Sequence, residues 1–293
     1  MPIIGRIALG TAQFGLSYGV ANRQGQVTVE EGSKIVSYAA SVGVDTLDTA
    51  IAYGSSEECL GQIGVKDWRV ISKLPEIPSG TTNIQNWVQE CVDGSLGRLK
   101  ISQLYALLLH RPQQLLQPQG RELYDTLNLL KTEGLVNKIG ISIYSPKELP
   151  ALFGQFSFDL IQAPFNILDR SLEESGWLSH LHNMGVEVHV RSIFLQGLLL
   201  MESDTRPSYF QRWYPLWMEW QNWLLNSGLN PLQACLGFVL SHPSIDRVVV
   251  GVDSFKQLQE ILAATTAELS VNPPDKLCCN DPDLINPALW RLR

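Results

Sequence analysis

The sequence lacks the features that mark several broad classes of protein. Only 17% of its 293 residues are charged, the formal net charge is −7, and no long run of like charge occurs. A surface of this sign repels phosphate backbones and anionic lipids, which argues against nucleic acid and membranes as partners. The start of the chain has no basic segment followed by an uninterrupted apolar stretch and an A-x-A site. Neither a signal peptide nor a membrane span is therefore expected.

Cysteine is scarce and irregularly spaced. The chain has five cysteines, an odd number, and no C-x-x-C pair. This pattern is typical of reduced thiols in a cytoplasmic protein. We therefore expect a cytoplasmic location, and we expect no metal ion. The cysteines are Cys59, Cys91, Cys235, Cys278 and Cys279.

Short apolar runs alternate with longer amphipathic stretches along almost the whole chain. The runs that predict strands are residues 7–9, 46–48, 70–73, 104–110, 138–142, 160–162, 187–192 and 247–250. The stretches that predict helices are residues 28–42, 56–63, 84–99, 120–133, 146–153, 172–184, 231–241 and 255–264. In the first of these, Ile35, Ala39 and Val42 recur at helical spacing.

Eight strand–helix units without a break favour a closed parallel (β/α)8 barrel. The other interpretation, an open doubly wound sheet, needs a glycine-rich nucleotide turn, and no G-x-G-x-x-G follows any predicted strand. The length is also suitable, because α/β barrels of about 250 residues or more are common as one unit. We therefore assign residues 1–293 to a single barrel domain.

Two segments fall outside the repeating pattern. Residues 203–230 form an extra helical segment, in which Trp213, Trp217 and Trp220 recur at helical spacing. This segment either packs against the barrel, which we favour, or covers the substrate with aromatic side chains. Residues 271–293 are a proline-rich tail that we expect to wrap the barrel or its mouth.

Polar or ionisable residues end most of the predicted strands. In a (β/α)8 barrel the active site lies at the carboxyl ends of the strands. One polar strand end could arise by chance, but a whole series of them indicates a functional rim. The series is Asp48, Lys73, His110, Ser142, Gln162, Arg191 with Ser192, and the turn at Gly251.

Three of these residues end successive strands and can act together with a tyrosine. Because neighbouring strands lie about 4.8 Å apart, Asp48, Lys73 and His110 can converge. Tyr53 follows Asp48 by five residues, so a short loop can return it to the barrel mouth. The lysine cation would stabilise the phenolate, the aspartate would hold the lysine, and the histidine would orient a carbonyl or pass the proton. Singly, each could be a helix cap, an ion-pair lysine or a rim histidine; together they indicate catalysis.

Four stretches resemble motifs of the aldo-keto reductase superfamily. They are GTAQFG at residues 10–15, DTAIAYG at 48–54, SKL at 72–74 and LLHRP at 108–112. The resemblance extends over residues 7–264 and implies a (β/α)8 barrel with a nicotinamide cofactor bound across its mouth. It also implies Tyr53 as proton donor, with Asp48, Lys73 and His110 as the other catalytic positions.

Two longer stretches narrow the resemblance. LGTAQFGLSYGVAN and HVRSIFLQGLLL resemble a bacterial branch of the superfamily that is associated with surface-sugar or secondary-metabolite pathways. This likeness implies an oxidised sugar or another polar carbonyl compound as substrate, by analogy alone.

The resemblance also implies where the cofactor lies. Ser142 and Gln162 match positions that bind the nicotinamide carboxamide, although Ile143 stands where asparagine is usual. Arg191 replaces an aromatic residue that often stacks on the nicotinamide ring, and a planar guanidinium can stack too. Ser192 and residues 195–197 would lie along the pyrophosphate. The implied cofactor positions are Gly10, Thr11, Ser142, Gln162, Arg191, Ser192, Leu195, Gly197, Gly251, Asp253, Ser254 and Gln257.

The basic residues that hold the 2′-phosphate of NADPH in this family are missing from the stretch VVGVDSFKQLQE. Gly251 and Gln257 fall where lysine and arginine are common, and the adjacent Lys256 is a substitute. We therefore expect NADPH to be preferred over NADH only moderately.

The sequence thus predicts an NAD(P)H-dependent carbonyl reductase, acting on a small molecule as a monomer or weak homo-oligomer. Two other classes remain open. One is a non-catalytic barrel that binds NADPH as a sensor, against which the intact set of four catalytic residues argues. The other is a cofactor-free lyase or isomerase in which Lys73 forms a Schiff base, which leaves Tyr53 without a role.

Overall fold

A computed structural model describes residues 3–266 and 272–292 of the chain. Eight parallel strands run in chain order around a closed barrel, and β1 pairs with both β2 and β8. The predicted (β/α)8 barrel is confirmed. The strands are β1 (Ile7–Gly10), β2 (Thr46–Asp48), β3 (Arg69–Leu74), β4 (Leu104–Leu109), β5 (Val136–Ser142), β6 (Leu160–Pro164), β7 (Glu187–Arg191) and β8 (Arg247–Gly251).

Helices follow each strand and cover the outside of the barrel. The main apolar core lies between the two layers and includes strand residues such as Leu47 and helix residues such as Ile35 and Leu123. In the described residues, no helix is long and apolar enough to cross a membrane. The helices are α1 (Val29–Ser41), α2 (Ser56–Ile63), α3 (Ile84–Leu99), α4 (Gly120–Thr132), α5 (Leu149–Phe153), α6 (Ser171–Glu174), α7 (Trp177–Asn183), α8 (Tyr214–Ser227), α9 (Pro231–Leu240), α10 (Phe255–Ala264) and α11 (Pro282–Ile285).

A second, smaller apolar cluster fills the middle of the barrel. It consists of Ile71, Ala106, Leu108 and Leu160. Alternate residues of a strand face the same side of the sheet. Lys73 comes two residues after Ile71, and Gln162 two residues after Leu160, so both side chains face the interior at the carboxyl end. The apolar layer therefore forms the floor beneath the polar strand ends.

Two predicted helices are each divided into two parts. The stretch 172–184 is interrupted at Gly176, whose φ of 78° ends the helical path and separates α6 from α7. The stretch 146–153 begins as a 3-10 turn, Pro146–Glu148, which Ser145 caps with a capping box. In both segments the apolar residues recur without a break, but a glycine turn in one and a capping box in the other divide the helix.

The extra segment after β7 packs against the body of the protein. Trp217, Trp220 and Trp223 of α8 are buried. Trp213, just before α8, is half-buried and donates its indole N–H to Asp281 Oδ2 at 3.0 Å. None of these four tryptophans lines the large cavity described below. This placement supports packing rather than an aromatic cover for the substrate.

The described part of the tail packs on this same segment. The Tyr209 hydroxyl donates to the backbone oxygen of Asp283 at 3.0 Å, and the Phe210 and Trp290 rings meet edge to face at 4.8 Å. Between residues 272 and 292, no side chain lines the large cavity. In these residues the tail covers the extra segment and not the site.

Candidate active site

A buried ion pair lies at the carboxyl ends of β2 and β3. Lys73 Nζ is 2.6 Å from Asp48 Oδ1 and donates a second hydrogen bond to the backbone oxygen of Thr49 at 2.9 Å. The side chains of Lys73 and Asp48 are only 1% and 5% exposed. Burial disfavours the ammonium charge, but Asp48 outweighs it and raises the pKa of Lys73 above its ordinary value. Lys73 is therefore held as a cation.

A glutamine holds the second oxygen of the aspartate. Gln162 Nε2 donates to Asp48 Oδ2 at 2.7 Å, and Gln162 Oε1 accepts from Ser142 Oγ at 3.3 Å. The β5–β6 register pairs Ser142 directly with Gln162. Both side chains are buried, and neither lines the large cavity. One amide hydrogen and one lone pair of Gln162 remain for the carboxamide contact that the sequence predicts.

Two glycines bring Tyr53 to the barrel mouth. Tyr53 lies in the loop after β2, which packs on the loop after β1. A Cβ atom at Gly15 would lie 1.8 Å from the Tyr53 carbonyl oxygen, and one at Gly54, whose φ is 54°, would lie 2.4 Å from the Gly15 carbonyl oxygen. The contact therefore requires glycine at both positions. It explains why the motifs at residues 10–15 and 48–54 each end in glycine.

The Tyr53 hydroxyl lies beside the lysine cation. Lys73 Nζ donates to it at 3.5 Å and lies 5.0 Å from the centre of the ring. Tyr53 lines the cavity, whereas Lys73 is sealed beneath it. The arrangement exposes the hydroxyl to a ligand and keeps the charge that would stabilise its phenolate out of solvent.

His110 completes the group that the sequence predicts. It lies one residue after β4, and its ring meets the Tyr53 ring edge to face with centroids 5.9 Å apart. Burial and the nearby cations Lys73 and Arg191 lower the pKa of His110 to about 4. The ring is therefore neutral at pH 7, so it can donate a hydrogen bond but holds almost no acidic proton. The structure brings all four predicted catalytic side chains to one rim.

A cavity of about 570 Å³ extends from this group across the barrel mouth to the start of α10. Most of the predicted cofactor positions line it: Gly10, Thr11, Arg191, Ser192, Gly197, Gly251, Asp253 and Gln257. Four of the predicted positions do not line it: Ser142, Gln162, Leu195 and Ser254. Leu195 is fully buried, and Ser254 instead caps α10 by accepting from the Gln257 N–H.

The loop after β7 has a strained backbone where it lines the cavity. Ser192, Leu195 and Gln196 have φ values of 59°, 49° and 54°, and Gly197 has a φ of 88°. Non-glycine residues in this region are uncommon, and such strain concentrates at ligand sites. The pyrophosphate contacts that the sequence predicts at Ser192 and Gly197 fall in this loop.

Arg191 is fixed at the end of the cavity that Tyr53 and His110 line. It donates to the backbone oxygen of Ile143 at 2.9 Å and to Ser192 Oγ at 3.2 Å, and its guanidinium lies 4.8 Å from the centre of the Tyr144 ring. The Arg111 guanidinium lies 5.4 Å from the same ring. Arg191 is therefore preorganised as a flat cation on the cavity wall.

The loop after β1 reaches across the cavity. Asn22 Nδ2 donates to Asp253 Oδ1 at 3.1 Å, and Gln196 Nε2 donates to the Tyr18 hydroxyl at 3.1 Å. These contacts join the loop to those after β7 and β8. Residues 16–25 thus form a bridge over the middle of the cavity.

Sequence reasoning missed several residues that line the cavity: Gln13, Tyr18, Asn22, Tyr144 and Glu260. Glu260 could have been found, because it follows Gln257 by three residues in a predicted helix and shares its face. The positions of Tyr18 and Asn22 depend on an irregular loop, for which no periodic signal exists.

Comparisons with known proteins agree with this fold. The family model described as "Aldo/keto reductase family" matches residues 6–272, so the chain belongs to the aldo-keto reductases and is an oxidoreductase. It is 24% identical over 253 residues to the uncharacterized oxidoreductase YqkF of Bacillus subtilis (strain 168), covering 80% of this chain and 81% of that protein. It is 25% identical to L-galactose dehydrogenase of Arabidopsis thaliana, covering 90% of this chain and 85% of the relative.

One solved structure supports the barrel assignment. The aldo-keto reductase AKR11C1 from Bacillus halodurans, in its holo form, superposes with a TM-score of 0.72 at 21% identity. The superposition covers 98% of this chain and 94% of the other. At this identity the likeness establishes the fold alone.

Proposed function

We propose that the protein reduces a carbonyl compound to an alcohol with NAD(P)H, and that Tyr53 donates the proton. The observation that carries this proposal is the Tyr53 hydroxyl, which lines the cavity 3.5 Å from a buried lysine ammonium. Family membership supports carbonyl reduction as the reaction class.

The cavity has the size and lining that a dinucleotide needs. Ligand sites usually enclose about 300–1,000 Å³, and this one encloses about 570 Å³. Its lining includes the Arg191 guanidinium, part of the strained loop after β7 and residues of α10. When bound, NAD(P)H supplies the hydride. Arg191 would lie against the nicotinamide, and Ser192 and Gly197 would lie along the pyrophosphate.

Each of the four residues at the rim has a distinct role in this proposal. Tyr53 gives its hydroxyl proton to the carbonyl oxygen as negative charge develops there. The Lys73 cation stabilises the resulting phenolate, and Asp48 holds Lys73 charged and in place. His110, being neutral, donates a hydrogen bond that orients the carbonyl. Because its pKa is about 4, it is not the source of the proton at pH 7.

The two other classes fit the geometry less well. A Schiff-base lysine must present a free amine, but Lys73 Nζ is buried and protonated, with Asp48, Thr49 and Tyr53 as partners. Borohydride treatment with a carbonyl compound is expected to trap no lysine adduct. A non-catalytic sensor would not need Tyr53 to face the cavity beside that cation. We infer a small carbonyl compound as the partner, with an oxidised sugar as the favoured class.

All five cysteines are free, as expected for reduced thiols. Burial raises the pKa of Cys59 and Cys91, and it raises that of Cys278 to about 11. These thiols are therefore poor nucleophiles at neutral pH. We infer a cytoplasmic location from the odd number and irregular spacing of the cysteines.

The test is catalytic turnover with a generic aldehyde. Purified protein is mixed with a nitrobenzaldehyde and, separately, with NADPH or NADH, and loss of the reduced-nicotinamide absorbance is followed. We expect turnover with at least one nucleotide. Tight binding of a nucleotide without any turnover, across aldehydes, ketones and keto-sugars, would instead support the sensor.

A further inference from the structure

The far end of the cavity, away from Tyr53, is acidic. It is lined by Asp253 in the turn after β8 and by Glu260 on α10, together with Gly251, Gln257 and Ile261. Among the described residues that line the whole cavity, the permanent cation is Arg191, which lies at the other end beside Tyr144. In the dinucleotide orientation proposed above, the adenosine ribose would meet this acidic end.

Three backbone donors at this end already have protein partners. The Asp253 N–H donates to Gln257 Oε1 at 2.7 Å, and the Gln257 N–H donates to Ser254 Oγ at 3.3 Å. The Phe255 N–H donates to Glu31 Oε1, from α1, at 2.8 Å. A phosphate at a helix start normally takes such N–H groups. Here a carboxylate and two neutral side chains occupy them.

The lysines nearby do not offset the acidic groups. Lys256 is 84% exposed and lies 3.7 Å from Glu260 in an i,i+4 pair. Lys34 is 55% exposed and pairs with Glu30 at 2.9 Å and Glu31 at 3.8 Å. Exposed cations of this kind are screened by solvent and contribute little. These contacts involve four carboxylates, from Glu30, Glu31, Asp253 and Glu260, and two exposed lysines.

We infer that the site selects NADH over NADPH, with Asp253 as the residue that discriminates. This inference rests on the proposed function. A carboxylate accepts hydrogen bonds from the ribose hydroxyls of NADH and repels the 2′-phosphate of NADPH. The inferred selection of NADH replaces the moderate preference for NADPH that the sequence predicts. The two residues on which that prediction rested are not available to a phosphate, because Gln257 binds the Asp253 N–H and Lys256 faces solvent.

The experiment measures dissociation constants of both reduced nucleotides by quenching of the protein's tryptophan fluorescence. In the wild type we expect NADH to bind about 10- to 100-fold more tightly than NADPH, the range expected for one charged hydrogen bond gained or lost. Asp253→Asn keeps the shape of the side chain and removes its charge. In this variant the ratio is expected to fall by about tenfold, with NADPH binding more tightly than in the wild type. Glu260→Gln should shift the ratio in the same direction by less, since Glu260 is 55% exposed.

The matched control is Glu90→Gln, which removes a carboxylate from the exposed face of α3, away from the cavity. It should leave the ratio unchanged. Tighter binding of NADPH by the wild type, or an unchanged ratio in Asp253→Asn, would overturn the inference while leaving carbonyl reduction intact. Failure of the wild type to bind either nucleotide would overturn the proposed function and this inference together.

Discussion

Each end of the barrel holds a largely or fully buried carboxylate that pairs with a lysine and lies near a tyrosine and a histidine. At the amino end, Glu187 on β7 pairs with Lys138 on β5 and accepts hydrogen bonds from the Tyr105 hydroxyl and the His189 ring, both at 2.8 Å. At the carboxyl end the corresponding set is Asp48, Lys73, Tyr53 and His110. The same four kinds of side chain therefore occur twice: on β4, β5 and β7 at the amino end, and on β2 and β3 and in the segments after β2 and β4 at the carboxyl end.

The two sets differ in what the tyrosine and the histidine contact. At the amino end both bond directly to the carboxylate, and none of the four residues lines the large cavity. At the carboxyl end the carboxylate is held by Lys73 and Gln162 instead. Tyr53 and His110 are thereby left to face the cavity. Residue types alone thus do not identify an active site; what matters is which groups remain available to a ligand.

The largest effect expected from this difference is on the tyrosines. Tyr53→Phe keeps the ring but removes the proposed proton donor, so single-turnover hydride transfer should fall by about 10²–10⁴-fold. Nucleotide affinity should barely change, because the proposed cofactor contacts come from other residues. Stopped-flow measurement with saturating nucleotide and a nitrobenzaldehyde would show the loss.

The control is Tyr105→Phe, which removes a hydroxyl from the amino end. It should leave hydride transfer unchanged and lower the free energy of unfolding by about 1.5–3 kcal/mol, because Glu187 loses a hydrogen bond to a charged group. If Tyr53→Phe retained near-wild-type hydride transfer, the proposed proton donor would be wrong.

The next effect concerns the two lysines. Lys73→Met removes the cation beside the Tyr53 hydroxyl, so hydride transfer should fall by at least about 100-fold. It also leaves Asp48 buried with Gln162 as its remaining side-chain partner, which should cost about 3–5 kcal/mol of folding free energy. Chemical denaturation and single-turnover kinetics would be measured on the same preparation.

Lys138→Met is the matched change at the amino end. The Lys138 side chain is 30% exposed, and Glu187 keeps His189 and Tyr105 as partners. Its loss should therefore cost less stability than the loss of Lys73, and hydride transfer should be unaffected. If Lys73→Met and Lys138→Met lost equal amounts of activity, the two lysine charges would act on folding alone and not on hydride transfer.

The fold and the catalytic group could be predicted from the sequence because both depend on regular patterns. Apolar runs at strand spacing located all eight strands, and the residues that end them fixed Asp48 and Lys73 at one rim. The amino-end set was not predicted. Three of its residues lie at the beginnings of strands: Glu187, Lys138 and Tyr105. Charged residues are also common at strand starts that are exposed to solvent, so this position does not by itself indicate a cluster inside the barrel.

The acidic end of the cavity could not be predicted from the sequence. Sequence reasoning placed Gln257 and Lys256 at a phosphate site by position along the chain. The structure shows that Gln257 turns back to its own loop and that Glu31, from a helix more than two hundred residues away, occupies the Phe255 N–H. Such contacts depend on side-chain rotamers and on tertiary packing, neither of which has a sequence periodicity.

The smallest expected effect is on the pH dependence of stability, where the two ends should respond over different ranges. The pKa of His110 is lowered from 6.5 to about 4 in the folded protein. Between pH 4 and 6.5 the unfolded chain therefore binds more protons than the folded protein. The contribution of His110 to the free energy of unfolding is complete above pH 6.5 and is lost as the pH falls towards 4. Burial disfavours the charge of Glu187, but His189, Lys138 and Tyr105 hold its pKa well below the ordinary value of 4.5. Its contribution is complete above pH 4.5 and is lost only below it.

Urea denaturation at a series of pH values would separate the two contributions. Each pKa unit is worth about 1.4 kcal/mol, and after a discount for solvent screening the His110 contribution should be about 2 kcal/mol. His110→Gln should flatten the stability curve between pH 6.5 and 4, and Glu187→Gln should flatten it below pH 4.5. An NMR titration that found His110 protonated at pH 6 would contradict the first expectation. It would also restore the histidine as a candidate acid, because a protonated ring beside Tyr53 could supply the proton at neutral pH.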